Sequence, residues 1–131
     1  GAVARTAPGE ADLVIFGAPH GTPYPGIDNE PYASAPDTLR RALEEDARWI
    51  DHWDFDLNGP LLGTGEFSVA DAGNLVTRSE DGEGNRRAIR EATAQIVSAG
   101  AIPLMLGGDD STPIPIDLRW IAIGPQRSRL P

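Results

Sequence analysis

Ile102-Pro103-Leu104-Met105-Leu106-Gly107-Gly108-Asp109-Asp110-Ser111 begins as a short apolar run and ends in two glycines, two adjacent carboxylates and a hydroxyl. That is the pattern of a buried strand that stops where polar chemistry begins. In an open parallel sheet, ligands bind in the crevice beyond the carboxyl ends of the strands. Asp109 and Asp110 are therefore expected at the mouth of such a crevice. Glycine lets the backbone turn with positive φ and approach its neighbours closely. Carboxylates this near one another repel unless something positive lies between them, which makes a divalent cation the natural candidate. The same residues are also ordinary turn chemistry, since Asp and Ser bond their own backbone two residues on. A strand-to-turn junction needs no ligand.

Upstream of this strand, Ile89, Ala92, Ile96 and Val97 keep helical spacing, with Asn85 expected as the cap and Gly100 as the C-terminal glycine. Residues 67–74 read as another short strand that breaks into a turn at Gly73-Asn74, with Asp71 near its carboxyl end. Residues 12–18 are a continuous β-branched and apolar run of the kind buried on both faces, and are expected as the first strand. With a helix between the first two strands, the order strand, helix, strand, helix, strand predicts a three-layer α/β/α fold with a mostly parallel sheet.

Residues 19–35 carry Pro19, Pro23, Pro25 and Pro31 with Gly21 and Gly26, a composition that predicts a long ordered loop. His20 at its start reads more simply as a hydrogen-bonded turn residue than as a ligand, because nothing nearby in sequence stands at metal-ligand spacing. Ser34-Ala35-Pro36-Asp37 looks like a capped helix start. The helix is expected to run to about Trp49, with Leu39, Leu43, Ala47 and Ile50 facing inward and Arg40, Arg41, Glu44 and Glu45 facing water. Trp53, Phe55 and Leu57 alternate with Asp54 and Asp56 in the period of a half-exposed strand, so His52 and Asp54 call for no ion. Residues 112–116 could begin a further helix and residues 118–123 one more strand.

The chain's 131 residues are the size of a single domain, or one piece of a larger one. Residues 1–10 read as a loose lead-in, and residues 117–131 as a divergent tail. A formal net charge of −9 with no basic cluster argues against a nucleic-acid partner. The absence of cysteine excludes disulfides, thiolate nucleophiles and zinc–sulfur sites. No apolar run reaches the roughly 20 residues of a membrane span, and the cytoplasm is the default compartment.

Three stretches together resemble the ureohydrolase family, the arginase and agmatinase group of manganese enzymes. Gly17-Ala18-Pro19-His20-Gly21, Pro25-Gly26 and Ala35-Pro36 with Leu39-Arg40 are similar to the family's first strand and the loop leading into its first helix. Val69-Ala70-Asp71-Ala72-Gly73 is similar to its second strand motif. Residues 102–111 are similar to its Gly-Gly-Asp-His-Ser segment, followed by Pro113-Ile114-Pro115 as in many agmatinase-like members. The resemblance covers nearly the whole chain up to about Ile116. It implies an arginase-like fold, present here incompletely. It also implies a Mn²⁺ cofactor, a small guanidino substrate such as agmatine, and a full-length form that is a homo-oligomer.

Two departures bear on function. The family's histidine, a metal ligand, is matched by Asp110, a hard oxygen donor that Mn²⁺ also accepts. Its added negative charge would weaken the ion as a Lewis acid. Asp109 matches the supporting aspartate beside that ligand. The family's later Asp-x-His-x-Asp and Asp-x-Asp motifs do not occur after Ser111. The reaction implied is hydrolysis of a guanidinium C–N bond with release of urea, by water activated between two divalent ions. The expectation is thus the amino-terminal portion of such a hydrolase, truncated and inactive alone, with Asp110 as a partial metal ligand. The alternative is a non-catalytic α/β interaction module, or a degenerate fragment, whose unfinished sheet edge pairs with another chain.

Overall fold

In the computed structural model, residues 9–46, 53–60, 68–114 and 116 are described. Three strands form the central sheet: β1 (Leu13–Gly17), β4 (Val69–Asn74) and β5 (Ile102–Leu106). Their order is β4-β1-β5, and both pairings with β1 are parallel. Leu13 lies opposite Val69 and Ile102, and Gly17 opposite Asn74 and Leu106, so all three strands end at one edge. A small antiparallel pair, β2 (Trp53–Asp54) with β3 (Gly59–Pro60), stands apart from this sheet.

Alternation along β1 separates two faces. Val14 and Phe16 are buried and line a cavity of about 390 Å³ together with Ala92 and Ile96 of α2 (Gly82–Ser98). Ile15 points the other way and, with Leu104 and Leu106, meets Arg40 and Leu43 of α1 (Glu30–Asp46). The two helices therefore cover opposite faces, and the expected three-layer α/β/α arrangement with a parallel sheet is present. The buried apolar core is Ala11, Val14, Phe16, Ala70, Ile96 and Ala101, on the α2 side.

The start of α1 differs from the sequence reading. The helix begins at Glu30 rather than after Ser34, because the Asp28 carboxylate accepts the Glu30 N–H at 3.0 Å and caps it earlier. Ser34 instead turns its hydroxyl back to the Pro31 carbonyl. Pro36 sits inside the helix, fully buried, at the cost of one helical hydrogen bond. It packs where Gly17 leaves room: a Cβ at residue 17 would collide with both Pro36 and Asn74.

The expected inward stripe of α1 is only half covered, with Leu39 44% and Leu43 56% exposed. Leu43 lies on the side of β5, whose Ile102 and Leu104 are also exposed, and among the described residues no further strand stands beyond β5. Ala47, Trp49 and Ile50 fall outside the described residues. Arg40, expected to face water, is instead half-buried. Its Nε and Nη2 donate to the two Asp71 oxygens at 2.7 and 2.8 Å, and Nη1 donates to Asn74 Oδ1. Asn74 in turn donates to Asp37 at 2.8 Å. This network ties α1 to the carboxyl end of β4.

Cap positions on α2 are also shifted. Asp81, not Asn85, is the N-cap, and its side chain accepts the Gly84 N–H at 2.8 Å. At the other end Gly100 adopts φ +82°, as expected of it. Its N–H donates to Val97 and that of Ala101 to Ile96, which completes a Schellman turn into β5. Residues 53–57 do not form one strand. Asp54 Oδ1 accepts the N–H groups of Asp56 and Leu57, each at 2.9 Å, and this folds the segment into the β2–β3 turn.

Candidate functional site

Beyond the carboxyl ends of β1 and β5, two loops meet. The first, 18–29, leaves β1. The second, 107–114, leaves β5 as a series of turns rather than the start of a helix. Ala18 N–H donates to Leu106 O at 2.8 Å, and Asp109 N–H donates to His20 O at 3.2 Å, so the loops run side by side. The approach requires glycine at residue 108, where a Cβ would overlap the His20 carbonyl.

Asp109 is the hub of this junction. Its Oδ2 accepts the Thr22 N–H at 2.7 Å, and its Oδ1 accepts the Ser111 N–H at 3.1 Å and the Ser111 hydroxyl at 2.6 Å. Ser111 Oγ accepts from the Thr22 hydroxyl at 2.7 Å, while Thr112 Oγ1 donates to the Asp109 carbonyl at 2.8 Å. Burial pushes the Asp109 carboxyl up, but the donors on Ser111 and Thr22 outweigh it and hold the group below the usual carboxylate range. With both oxygens engaged, Asp109 positions the turn.

Asp110, the next residue, is exposed, and among the described residues its carboxylate takes no hydrogen bond. The turn thus locks one acid inward and presents the other outward at the strand ends. Asp71, at the same edge of β4, is committed to Arg40 and also accepts the Gly73 N–H.

His20 is 2% exposed, wedged between the two loops and α2. Its Nδ1 lies 3.2 Å from Asn85 Nδ2. Asn85 accepts the Arg78 N–H through Oδ1 at 2.9 Å and donates to the Arg78 carbonyl through Nδ2 at 2.7 Å. Burial lowers the affinity of the ring for a proton; Asp109 opposes this and Arg86 adds to it. His20 is therefore a buried, hydrogen-bonded residue, as its sequence context suggested. The roles of Thr22 and Asn85 carried no sequence signal, because each depends on a partner more than sixty residues away.

As a holder of manganese, this donor set is insufficient by itself. Among the described residues, no group of three or more His, Cys, Asp and Glu side chains could hold a metal ion. Asp110 offers one free carboxylate, and Asp109 is already satisfied. His52 lies outside the described residues.

The fold is similar to that of solved arginase-superfamily structures. A Trypanosoma cruzi formiminoglutamase with Mn²⁺ superposes with a TM-score of 0.66 at 20% sequence identity, over 86% of this chain and 37% of that one. An arginase-superfamily protein from the same organism gives 0.66 at 19% identity, over 86% of this chain and 36% of that one. The chain thus spans a little over a third of the length of these proteins, and at such identity the likeness speaks for the fold. No curated protein sequence matches it. The family model described as the arginase family matches residues 11–119. That match takes in β1, the Gly-Pro-rich loop, β4 and the entire Gly107–Ser111 turn, and the chain belongs to the arginase family.

Proposed function

We propose that this chain carries the amino-terminal part of a manganese-dependent hydrolase centre that cleaves a guanidino C–N bond. Asp110 supplies one metal ligand, and the others come from the part of such a hydrolase that this chain, spanning 37% of the similar formiminoglutamase, does not cover. The observation that carries this reading is the turn itself: Asp109 is fastened by Thr22 and Ser111, and the neighbouring Asp110 stands exposed at the ends of parallel strands with no hydrogen bond among the described residues. Family membership and the Mn²⁺ of the similar formiminoglutamase structure support it. Pro113-Ile114-Pro115, similar to agmatinase-like members, favours agmatine as the substrate within that class.

Purified chain supplied with Mn²⁺ and agmatine is expected to release no more urea than a metal-free control; urea above that control overturns the need for further ligands. Joining residues 11–116 to the remainder of an active arginase-family hydrolase is expected to give a manganese-binding protein. Asp110→Ala should lower its manganese content, and full metal content in that variant removes Asp110 from the centre.

A second reading, a non-catalytic interaction module, is favoured by the exposed Leu39, Leu43, Ile102 and Leu104 and by β5, which pairs on one side only among the described residues. Size-exclusion chromatography separates the two. An interaction module forms a defined oligomer, whereas an incomplete catalytic half gives polydisperse association.

A further inference from the structure

The Asn85 side chain has no freedom to turn over. Its Oδ1 accepts the Arg78 N–H and its Nδ2 donates to the Arg78 carbonyl, so both ends are assigned by one backbone residue. The second Nδ2 hydrogen then points at His20 Nδ1, 3.2 Å away. A nitrogen that faces a donor must offer a lone pair, so His20 is fixed as the neutral tautomer with its proton on Nε2. Nε2 is buried and has no protein partner among the described residues. A proton added to Nδ1 would set two N–H groups against each other inside the protein and place a charge there as well.

The ring stands where three segments join. His20 O accepts Asp109 N–H, Pro19 O accepts the Thr77 hydroxyl at 2.6 Å, and Asn85 brings in the first turn of α2. We propose that the Asn85–His20 pair is a protonation-sensitive latch that fastens the loop after β1, and with it the Asp109 turn, to the start of α2. With the ring neutral the latch is closed; with Nδ1 protonated the Asn85 bond is lost and the 18–29 loop separates from α2. The charged groups acting on the ring are Asp109 from the turn after β5, which favours the proton, and Arg86 from α2, which opposes it. From α1, Tyr32 packs over Gly21 and Gly108 beside it. The latch does not depend on manganese or on the hydrolase reading.

Imidazole ¹⁵N NMR on the whole chain tests this, with His52→Gln used to assign the two histidines. At neutral pH His20 should show an unprotonated Nδ1 and a protonated Nε2, and it should titrate below 6.5. Exchange of the Asn85 Nδ2 hydrogen that faces the ring should quicken at least tenfold through that titration, while the Thr22 and Asp109 amides, bonded between the two loops, and Phe16 in β1 keep their protection. Asn85→Asp, which offers an acceptor to the protonated ring, should move the midpoint upward. A proton on Nδ1 at neutral pH, or Asn85 Nδ2 exchange that does not follow the titration, overturns the latch. An unmoved midpoint in a folded Asn85→Asp variant overturns the role of Asn85.

Discussion

Thr22 donates its backbone N–H to Asp109 Oδ2 at 2.7 Å, joining the loop after β1 to the turn after β5 across 87 residues of sequence. Because Asp109 Oδ1 is also taken by Ser111, the acid is an internal strut. Asp109→Asn keeps the shape but sets an amide donor against either Thr22 or Ser111. That mismatch should cost about 1–3 kcal/mol of unfolding free energy. Urea denaturation checks it: the midpoint should fall with an unchanged slope. Ser111→Ala, which removes one of the donors, should cost less.

Gly108→Ala tests the contact beneath that strut. The new methyl group meets the His20 carbonyl, which is backbone and cannot swing aside. A loss of about 1–3 kcal/mol is expected from the forced shift. Gly26→Ala, where a Cβ meets nothing but φ is +80°, provides a comparison for conformational strain alone. If Gly108→Ala is as stable as the parent chain, the side-by-side course of the two loops is wrong.

Arg40 grips Asp71 through a two-pronged pair, and hydrogen bonding to Asp71 raises the proton affinity of the guanidinium further. Arg40→Lys keeps the charge but loses the fork. Because Asp71 is partly open to solvent, the expected loss is modest, roughly 0.5–1 kcal/mol, and it should persist in high salt to the extent that it is hydrogen bonding. Thermal unfolding at low and high ionic strength measures both parts.

Much of this arrangement was legible in the residues. β1 is a continuous apolar run that suits a sheet covered on both faces; residues 102–106 were expected as a buried strand too, yet β5 lies at the edge of the sheet with Ile102 and Leu104 exposed. Gly100 marked the end of α2 because a left-handed residue was needed there. The start of α1 was not legible: Ser34-Ala-Pro-Asp37 has the form of a cap, but Asp28 captures the Glu30 amide first. Asn85 likewise has the residue type of a cap, yet Asp81 takes that role and frees Asn85 for His20. Arg40 looked like one charge on a wet helix face, and only the placement of β4 shows that Asp71 and Asn74 receive it. Local chemistry reads from sequence where the backbone decides, and fails where a distant partner decides.

Stability should also depend on pH in a defined direction. The His20 proton affinity is lowered by folding, so the unfolded chain binds a proton first as pH falls through 6.5, and stability declines from there until the folded ring also titrates. The Asp109 carboxyl is likewise depressed. Its contribution is complete above 3.8 and disappears as pH falls through the lower folded value. Chemical denaturation at a series of pH values should show a decline beginning near 6.5 that His20→Gln abolishes, and an acid limb that Asp109→Asn reduces.

Manganese titration of the purified 131-residue chain, followed by the six-line electron paramagnetic resonance signal of free Mn²⁺, addresses the metal centre most directly. If Asp110 is the one ligand this chain supplies, as proposed, the free-ion signal should grow in proportion to the metal added, with no stoichiometric break, and Asp110→Ala should give the same curve. A break at one or two ions per chain that Asp110→Ala removes would contradict the account, because this polypeptide would then hold a complete site.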